Sequence, residues 1–212
     1  MPPKPISKQT LQRMPLYLNY LKALPASAAA TISATTMAED LRLNDVQVRK
    51  DLAMAGQGGR PKIGYYVKDL IANIEHCLGN DNIDSAVLIG AGNFGRTLLV
   101  YEGFSEYGID IVAAFDEDEK TVGSMACGKV VFPVSKLSEM CSRMKIKMGI
   151  IAVDAKDAQK ICDLLVEGGV MAIWNFAPVR LHAPSEVLVQ NENMASSLAV
   201  ISNHLVQKFR TV

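Results

Sequence analysis

The segment Ala86–Gly95 constrains the fold of this chain more than any other. A short apolar run, Ala86-Val87-Leu88-Ile89, reads as a buried parallel strand. Gly90-Ala91-Gly92-Asn93-Phe94-Gly95 follows directly, and Arg96-Thr97-Leu98-Leu99-Val100-Tyr101 can then begin a helix. A second strand, Ile109 to Phe115, ends at Asp116, 21 residues beyond Gly95. Glycines at these positions between strand and helix have a physical reason. Gly90 permits a tight turn, Gly92 lets the backbone approach a pyrophosphate, and Gly95 lets the helix pack close to the strand. The free N–H groups at the helix start then face the phosphates. Asp116 can accept from a ribose 2′-OH, and its charge repels a 2′-phosphate. Gly90, Ala91, Gly92, Asn93, Phe94, Gly95 and Asp116 are therefore candidate cofactor residues, and the pattern favours NAD over NADP.

The rest of the second half continues this α/β pattern. Val130-Val131-Phe132 reads as a third strand, and Ser135 can cap a helix to about Arg143. Lys147–Val153 is expected as a fourth strand, Ala155–Glu167 as a helix and Val170–Trp174 as a fifth strand. Strands alternating with helices give a parallel, doubly wound sheet of the Rossmann kind. Asp154, Asn175 and Pro178 fall just beyond strand ends, where ligands of such sheets bind. Asn175 can orient a nicotinamide amide or satisfy a turn. Tyr101 can line the nicotinamide pocket or fill the core. Arg96 can contact phosphate, although a solvated role is preferred. Met194 to Phe209 has apolar residues at mixed three- and four-residue spacing, an amphipathic helix that can pack on its own domain or on a partner.

The first third has a different character. Residues 1–70 carry a net charge of +5 and residues 71–212 carry −5, so the net charge of zero hides a basic front. Leu11 to Leu24 has helical apolar spacing, with Pro15 expected in its first turn. Ser33 and Thr36 can cap a short helix, Met37–Leu41, and Asn44 or Asp45 a third from Val46 to about Ala55. On that third helix Val48, Leu52 and Ala55 share one side. Val46, Gln47, Lys50, Ala53 and Met54 share the other, with Arg49 at its flank. An apolar back and a Gln/Lys/Arg front suit a major groove, where Gln can read adenine and Arg or Lys guanine. Gly56 to Val67 then reads as a glycine-rich hairpin with Arg60 and Lys62 near its tip and Tyr65-Tyr66-Val67 returning as a strand. Gln47, Arg49, Lys50, Arg60 and Lys62 are thus candidate DNA contacts in a winged helix-turn-helix.

Here the chain resembles the Rex family of redox-sensing bacterial transcriptional repressors. The resemblance is carried by Gln47-Val48-Arg49-Lys50-Asp51-Leu52, Gly64-Tyr65, Gly90 to Gly95, Tyr101 with Gly103-Phe104, Phe115-Asp116-Glu117-Asp118, and Asn175-Phe176-Ala177-Pro178-Val179-Arg180-Leu181. It implies a winged helix over 1–80, a Rossmann NAD(H) domain over 81–192, and a C-terminal helix over 193–212 exchanged between subunits of a homodimer. It also implies binding to an inverted-repeat operator in double-stranded DNA, with release when NADH binds. One departure stands out. Some relatives couple their two states through an arginine on the first helix and an aspartate near the start of the exchanged helix. Asn19 and Ala195 occupy the aligned positions and cannot form that pair.

Two other classes compete. A small NAD-dependent oxidoreductase needs an acid or base near the nicotinamide and room for substrate. Only 37 residues follow Asn175, and none of His76, His182 and His204 lies in a catalytic context, so no catalytic residue is expected. A CoA-binding Rossmann protein shares the glycine turn, but Asp116 opposes the 3′-phosphate of CoA. Cys77, Cys127, Cys141 and Cys162 form no C-x-x-C pair, so free buried thiols are expected rather than a metal site. No apolar run approaches the ~20 residues of a membrane span, and the N-terminal residues lack a signal-peptide core. A cytoplasmic protein is expected.

Overall fold

Ser7 fixes where the first helix begins. Its hydroxyl accepts the Thr10 N–H at 3.1 Å, and α1 (Lys8–Lys22) follows. The structure, a computed structural model, describes residues 6–25, 29–56, 59–60, 63–79 and 84–209. Because α1 starts earlier than its apolar pattern, Pro15 lies mid-helix and not in the first turn. The N–H that Pro15 lacks would have bonded the Leu11 carbonyl. Leu11 is 37% exposed, so water can replace that donor.

Ser33 alone caps α2 (Ala34–Leu41): Thr36 donates its N–H to the Ser33 hydroxyl at 2.9 Å and so is the capped residue. Arg42, left-handed with φ 54°, ends the helix. Asn44 then caps α3 (Asp45–Ala55) by accepting from the Gln47 N–H at 3.1 Å. This is a helix-turn-helix whose inner faces close one core: Met14, Tyr17, Leu18 and Leu21 of α1 with Met37, Val48 and Leu52. The expected strand at Tyr65-Tyr66 joins it, and its antiparallel partner was missed by sequence reading: β1 (Thr31–Ile32) pairs with β2 (Tyr65–Tyr66). Val67, expected on the strand, instead opens α4 (Val67–Leu78), and His76 lies on that helix. Val67, Leu70, Ile71, Ile74 and Leu78 recur at helical spacing, and Leu70 and Ile74 complete the core.

The chain divides into two compact units, Met1–Asn82 and Ile83–Val212. The second is built on β3 (Asp84–Ile89), β4 (Ile109–Asp116), β5 (Met125–Ala126), β6 (Lys129–Pro133), β7 (Met148–Ile151), β8 (Ala172–Asn175) and β9 (Leu188–Asn191). They form one sheet of order β5-β6-β4-β3-β7-β8-β9. Every neighbouring pair is parallel except β5 and β6. Helices α5 (Asn93–Leu99), α6 (Gly103–Glu106), α7 (Leu137–Met144), α8 (Ala155–Glu167) and α9 (Met194–Phe209) complete the unit. Val87 and Ile89 pack into one core with Leu137, Ile161 and Leu165, while Ala86 and Leu88 pack into another with Ile111 and Phe104. A strand buried on both faces reads as a continuous apolar run, which is why β3 was legible. Ser135, expected as a helix cap, lies instead in a 3-10 turn, Val134–Lys136, and α7 starts after it. The fourth and fifth strands are shorter than expected. β5 and β9 were not anticipated, being short and only partly apolar. Cys141 and Cys162 are buried, Cys77 is half-buried, and Cys127, contrary to expectation, is exposed.

From β3 the chain builds outward to β4 and β6, then returns to β7 on the other side of β3. The crevice at such a reversal lies at the strands' carboxyl ends. Here it opens beside Gly90 and Ala152. Among the described residues no helix is long and apolar enough to cross a membrane.

Candidate dinucleotide site and nucleic-acid interface

A cleft of about 240 Å³ sits at that reversal, lined by Gly90, Gly92, Asp116, Glu117, Ala152 and Asp154 among others. The three glycines have separate causes. Gly90 has φ +100°, and a Cβ there would lie 2.4 Å from the Ala152 carbonyl oxygen. A Cβ at Gly95 would lie 1.8 Å from the Gly90 carbonyl oxygen. The fold itself therefore demands both. At Gly92 a Cβ would meet no protein atom within 4 Å. The protein leaves that space open, as a site for an approaching pyrophosphate needs. No side chain caps α5 among the described residues, so its first N–H groups lack a side-chain acceptor.

Asp116 is tied to this turn. Its carboxylate accepts from the Ala91 N–H at 2.7 Å and from the Asp118 N–H at 2.9 Å. A carboxylate has about four acceptor positions, so two remain for ribose hydroxyls. Arg96, for which a solvated role was preferred, is exposed and also donates from Nε to the Ala91 carbonyl at 2.9 Å. It braces the turn from behind. Glu117 pairs with Lys160 at 2.6 Å at the rim.

Around the far end of the loop runs a row of rings. Phe94 meets Phe176 at 5.2 Å between centroids, Phe176 meets Trp174 at 4.7 Å, Trp174 meets Phe104 at 5.7 Å, and Phe104 meets Tyr101 at 5.7 Å. Tyr101 is 60% exposed, which rules out the core reading for it. Asn175 is fully buried. Its amide nitrogen donates to the Val179 and Ala177 carbonyls and to Asn191 Oδ1, and its oxygen accepts from the Ala177 N–H. Of its two readings, the turn-satisfying one is what the structure shows. Pro178, on the loop that Asn175 holds, is exposed.

In the N-terminal unit, Val48, Leu52 and Ala55 are buried, while Arg49 and Lys50 are exposed. Arg49 also pairs with Asp45 one turn back at 3.4 Å. Arg60 bridges to Gly64, forming a tight turn, and its guanidinium lies 5.3 Å from the Tyr66 ring centroid. Gly64 has φ +84°, and a Cβ there would lie 2.4 Å from the Ile32 carbonyl oxygen. Lys62 lies outside the described residues. Gln47 is half-buried, against Arg13.

Sequence reading missed the strongest polar feature of this unit. Asp51, on the inner face of α3, is only 3% exposed. Arg13 bonds it side-on, Nε to Oδ2 at 2.7 Å and Nη2 to Oδ1 at 2.9 Å. Tyr17 donates its hydroxyl at 2.8 Å and Thr10 at 3.0 Å. Burial pushes the Asp51 carboxyl up, but the bonds from Arg13, Tyr17 and Thr10 outweigh it and hold it below its ordinary value. Burial and the Asp51 carboxylate push the Tyr17 phenol up to about 12. A usable signal was present: Asp51 falls beside the apolar stripe of Val48, Leu52 and Ala55, and a carboxylate there requires a cation.

Known proteins bear on both units. Residues 81–179 match the family described as "CoA binding domain", and residues 5–53 match "Putative DNA-binding protein N-terminus". A protein of Pelotomaculum thermopropionicum, "Redox-sensing transcriptional repressor Rex", is 38% identical over 96% of this chain and 95% of its own. A protein of Treponema denticola with the same description is 40% identical over 91% of each chain. A solved structure described as "Crystal structure of RSP in complex with beta-NAD+ and operator DNA" is 30% identical, covers 98% of this chain and 96% of its own, and superposes with a TM-score of 0.91. The same protein in complex with beta-NADH superposes with a TM-score of 0.86, again at 30% identity, over 97% of each chain. The CoA-binding family thus matches one unit, whereas relatives matched across both are named repressors. The helix-turn-helix, the glycine turn tied to Asp116 and these whole-chain relatives agree: the chain belongs to the Rex family of redox-sensing transcriptional repressors.

Proposed function

We propose that this chain acts as a repressor that senses NADH and NAD⁺. In this reading its N-terminal units, paired in a homodimer, bind an inverted-repeat operator, and NADH in the cleft beside Gly92 releases the DNA. The single observation that carries the cofactor reading is the turn itself. Gly90 and Gly95 are required by the protein, Gly92 opens onto empty space, and Asp116 is bonded to the same loop. Relatives of known structure hold beta-NAD+, beta-NADH and operator DNA. Gly90 to Gly95 are assigned to the pyrophosphate, Asp116 to the ribose, and Tyr101 and Pro178 to the nicotinamide end. Asn175 supports Pro178 through the loop rather than through contact. Arg49 and Lys50 are assigned to the major groove, and Arg60 and Lys62 to the wing contact. A protein working on operator DNA belongs in the cytoplasm.

The dimer is supported by α9. All of its residues are exposed, including Leu198, Ile201, Leu205 and Phe209. A helix with an apolar stripe and no burial within its own chain needs a partner surface. Exchange with a second copy through residues 193–212 meets that need, and a twofold dimer accounts for an inverted repeat.

Two outcomes test this reading. Asp116→Asn removes a like charge from the place where a 2′-phosphate would sit, so NADPH affinity should rise about tenfold relative to NADH, equivalent to about 1.4 kcal/mol. Equal affinity for the two in the unmodified protein would sink the NAD assignment. The direct test is operator affinity measured across NADH/NAD⁺ ratios. Asn19 carries no charge, Ala195 lies in the first turn of α9, and the capping position ahead of it is Asn193, which accepts from the Ser196 N–H. No charge pair forms at these positions to favour one conformation. The shift between saturating NADH and saturating NAD⁺ should therefore be smaller than in relatives that keep the pair. A shift of several hundred-fold would show that the pair is dispensable.

A further inference from the structure

We propose that Arg13 sets the hydrogen-bonding polarity of Gln47, so that the recognition helix offers Gln47 to DNA as a donor only. The inference rests on the reading that α3 enters the major groove of an operator. A free glutamine reads adenine with both ends of its amide, the oxygen accepting from N6 and the NH2 donating to N7. Both ends must then face one base edge. In this chain one end of the Gln47 amide lies 2.9 Å from Arg13 Nη1, 3.1 Å from Nη2 and 3.2 Å from Nε. The single Nε hydrogen is already given to Asp51 and every guanidinium N–H lies in the plane, so the charge decides which end sits there, and a positive charge favours the oxygen. Near-equal distances to all three nitrogens put it over the face of the guanidinium, against the centre of positive charge. The NH2 therefore faces the side away from Arg13.

Arg13 is itself held in place. Two of its nitrogens bond the two oxygens of Asp51, and Asp51 is buried and fixed by Tyr17 and Thr10. Side-on Arg–carboxylate pairs of this kind fix orientation as well as distance. The constraint runs from the buried Asp51 carboxylate on α3, through Arg13 on α1, back to Gln47, the third residue of α3. For Gln47 to pair with adenine on both edges, its oxygen must leave the cation. Guanine, with two acceptors in O6 and N7, matches the fixed orientation best and thymine O4 also matches it, whereas adenine offers N7 alone beside its N6 donor.

The test is a half-site scan. Every base pair of the operator is replaced in turn, and affinity is measured for the unmodified protein and for Gln47→Ala. The position that Gln47 reads is the one where Gln47→Ala abolishes the effect of replacement. The expected result is a guanine or thymine there, with adenine about tenfold weaker. If Gln47→Ala instead weakens all sequences alike and neutral methylphosphonate linkages reproduce the loss, Gln47 contacts phosphate and reads no base, which overturns the proposal. A preference for adenine at the Gln47-dependent position overturns the proposal. Arg13→Met supplies the converse arm. Freed from the cation, Gln47 should gain about tenfold in relative preference for adenine, and a folded Arg13→Met protein with the unmodified preference also overturns it. An unmodified chain that prefers no duplex sequence would remove the repressor reading first, and this inference with it, which is a distinct result.

Discussion

Asp51→Ala is expected to destabilise the N-terminal unit by about 3–5 kcal/mol, the usual cost of removing one partner of a buried ion pair. Three groups lose their acceptor at once. The Arg13 guanidinium is left without a counter-charge and the hydroxyl of the buried Tyr17 is left unpaired, while the Thr10 hydroxyl keeps only the Ser7 hydroxyl at 2.9 Å. Small domains have only about 5–15 kcal/mol in total. At about 4–8 °C per kcal/mol for a unit of this size, the melting transition of residues 1–82 should fall by well over 10 °C. The transition of the Rossmann unit should not move, because the bonds of this cluster join residues of the first unit. Calorimetry that follows both transitions checks this, and a first transition within 2 °C of the unmodified protein would show that the cluster contributes little. The pH dependence has a definite sign. The Asp51 carboxyl is held below its ordinary value in the folded unit. Its contribution is therefore fully present above the unfolded value of about 3.9 and is lost as pH falls through the lower folded value. The unmodified protein should lose N-terminal stability in that acid window, and Asp51→Asn should show a flatter acid limb.

The sequence disclosed the parts of this molecule whose physics is local. The β3 strand, the glycine turn and Asp116 follow from a run of apolar residues, a steric need for absent side chains and one acid at a fixed distance. The outward face of α3 follows from angular spacing. What stayed hidden depends on partners far along the chain. Asp51 reads as part of a motif, but its counter-charge lies 38 residues earlier on α1. Gln47 looks like a free reader until Arg13 is placed against it. Arg96 is exposed as expected, but its bond to the Ala91 carbonyl forms only once the turn is folded. Asn175 could serve a ligand or a loop, and only the folded positions of Val179 and Asn191 decide between them. α4 was readable from its spacing, yet the pull of a strand assignment at Tyr65-Tyr66 carried past Val67, where the chain turns helical. α9 has the converse problem. Its stripe was plain in the sequence, but its residues are exposed in the single chain, so what covers the stripe was not legible.

The glycine turn allows a paired experiment in which two substitutions remove the same ligand for different reasons. Gly95→Ala is expected to weaken NADH binding by damaging the protein. Its Cβ would sit 1.8 Å from the Gly90 oxygen and 2.9 Å from the Gly90 carbonyl carbon, so α5 must lift away from β3. Overpacking of this kind costs about 1–3 kcal/mol or more, and the second melting transition should fall accordingly. The displaced N–H groups would forfeit at least two hydrogen bonds to a charged phosphate. At about 1.5 kcal/mol each, that is about a hundredfold in affinity. Gly92→Ala should weaken NADH by a similar factor with no change in melting, because its Cβ meets nothing until a pyrophosphate arrives. Both variants should still bind the operator, since the helix-turn-helix is built entirely within residues 1–82, and in both NADH should no longer release it at concentrations that clear the unmodified protein. Fluorescence titration with NADH, calorimetry and operator binding with and without NADH separate the cases. If Gly92→Ala binds NADH as tightly as the unmodified protein, no pyrophosphate approaches that turn, and the cofactor must lie elsewhere on the sheet.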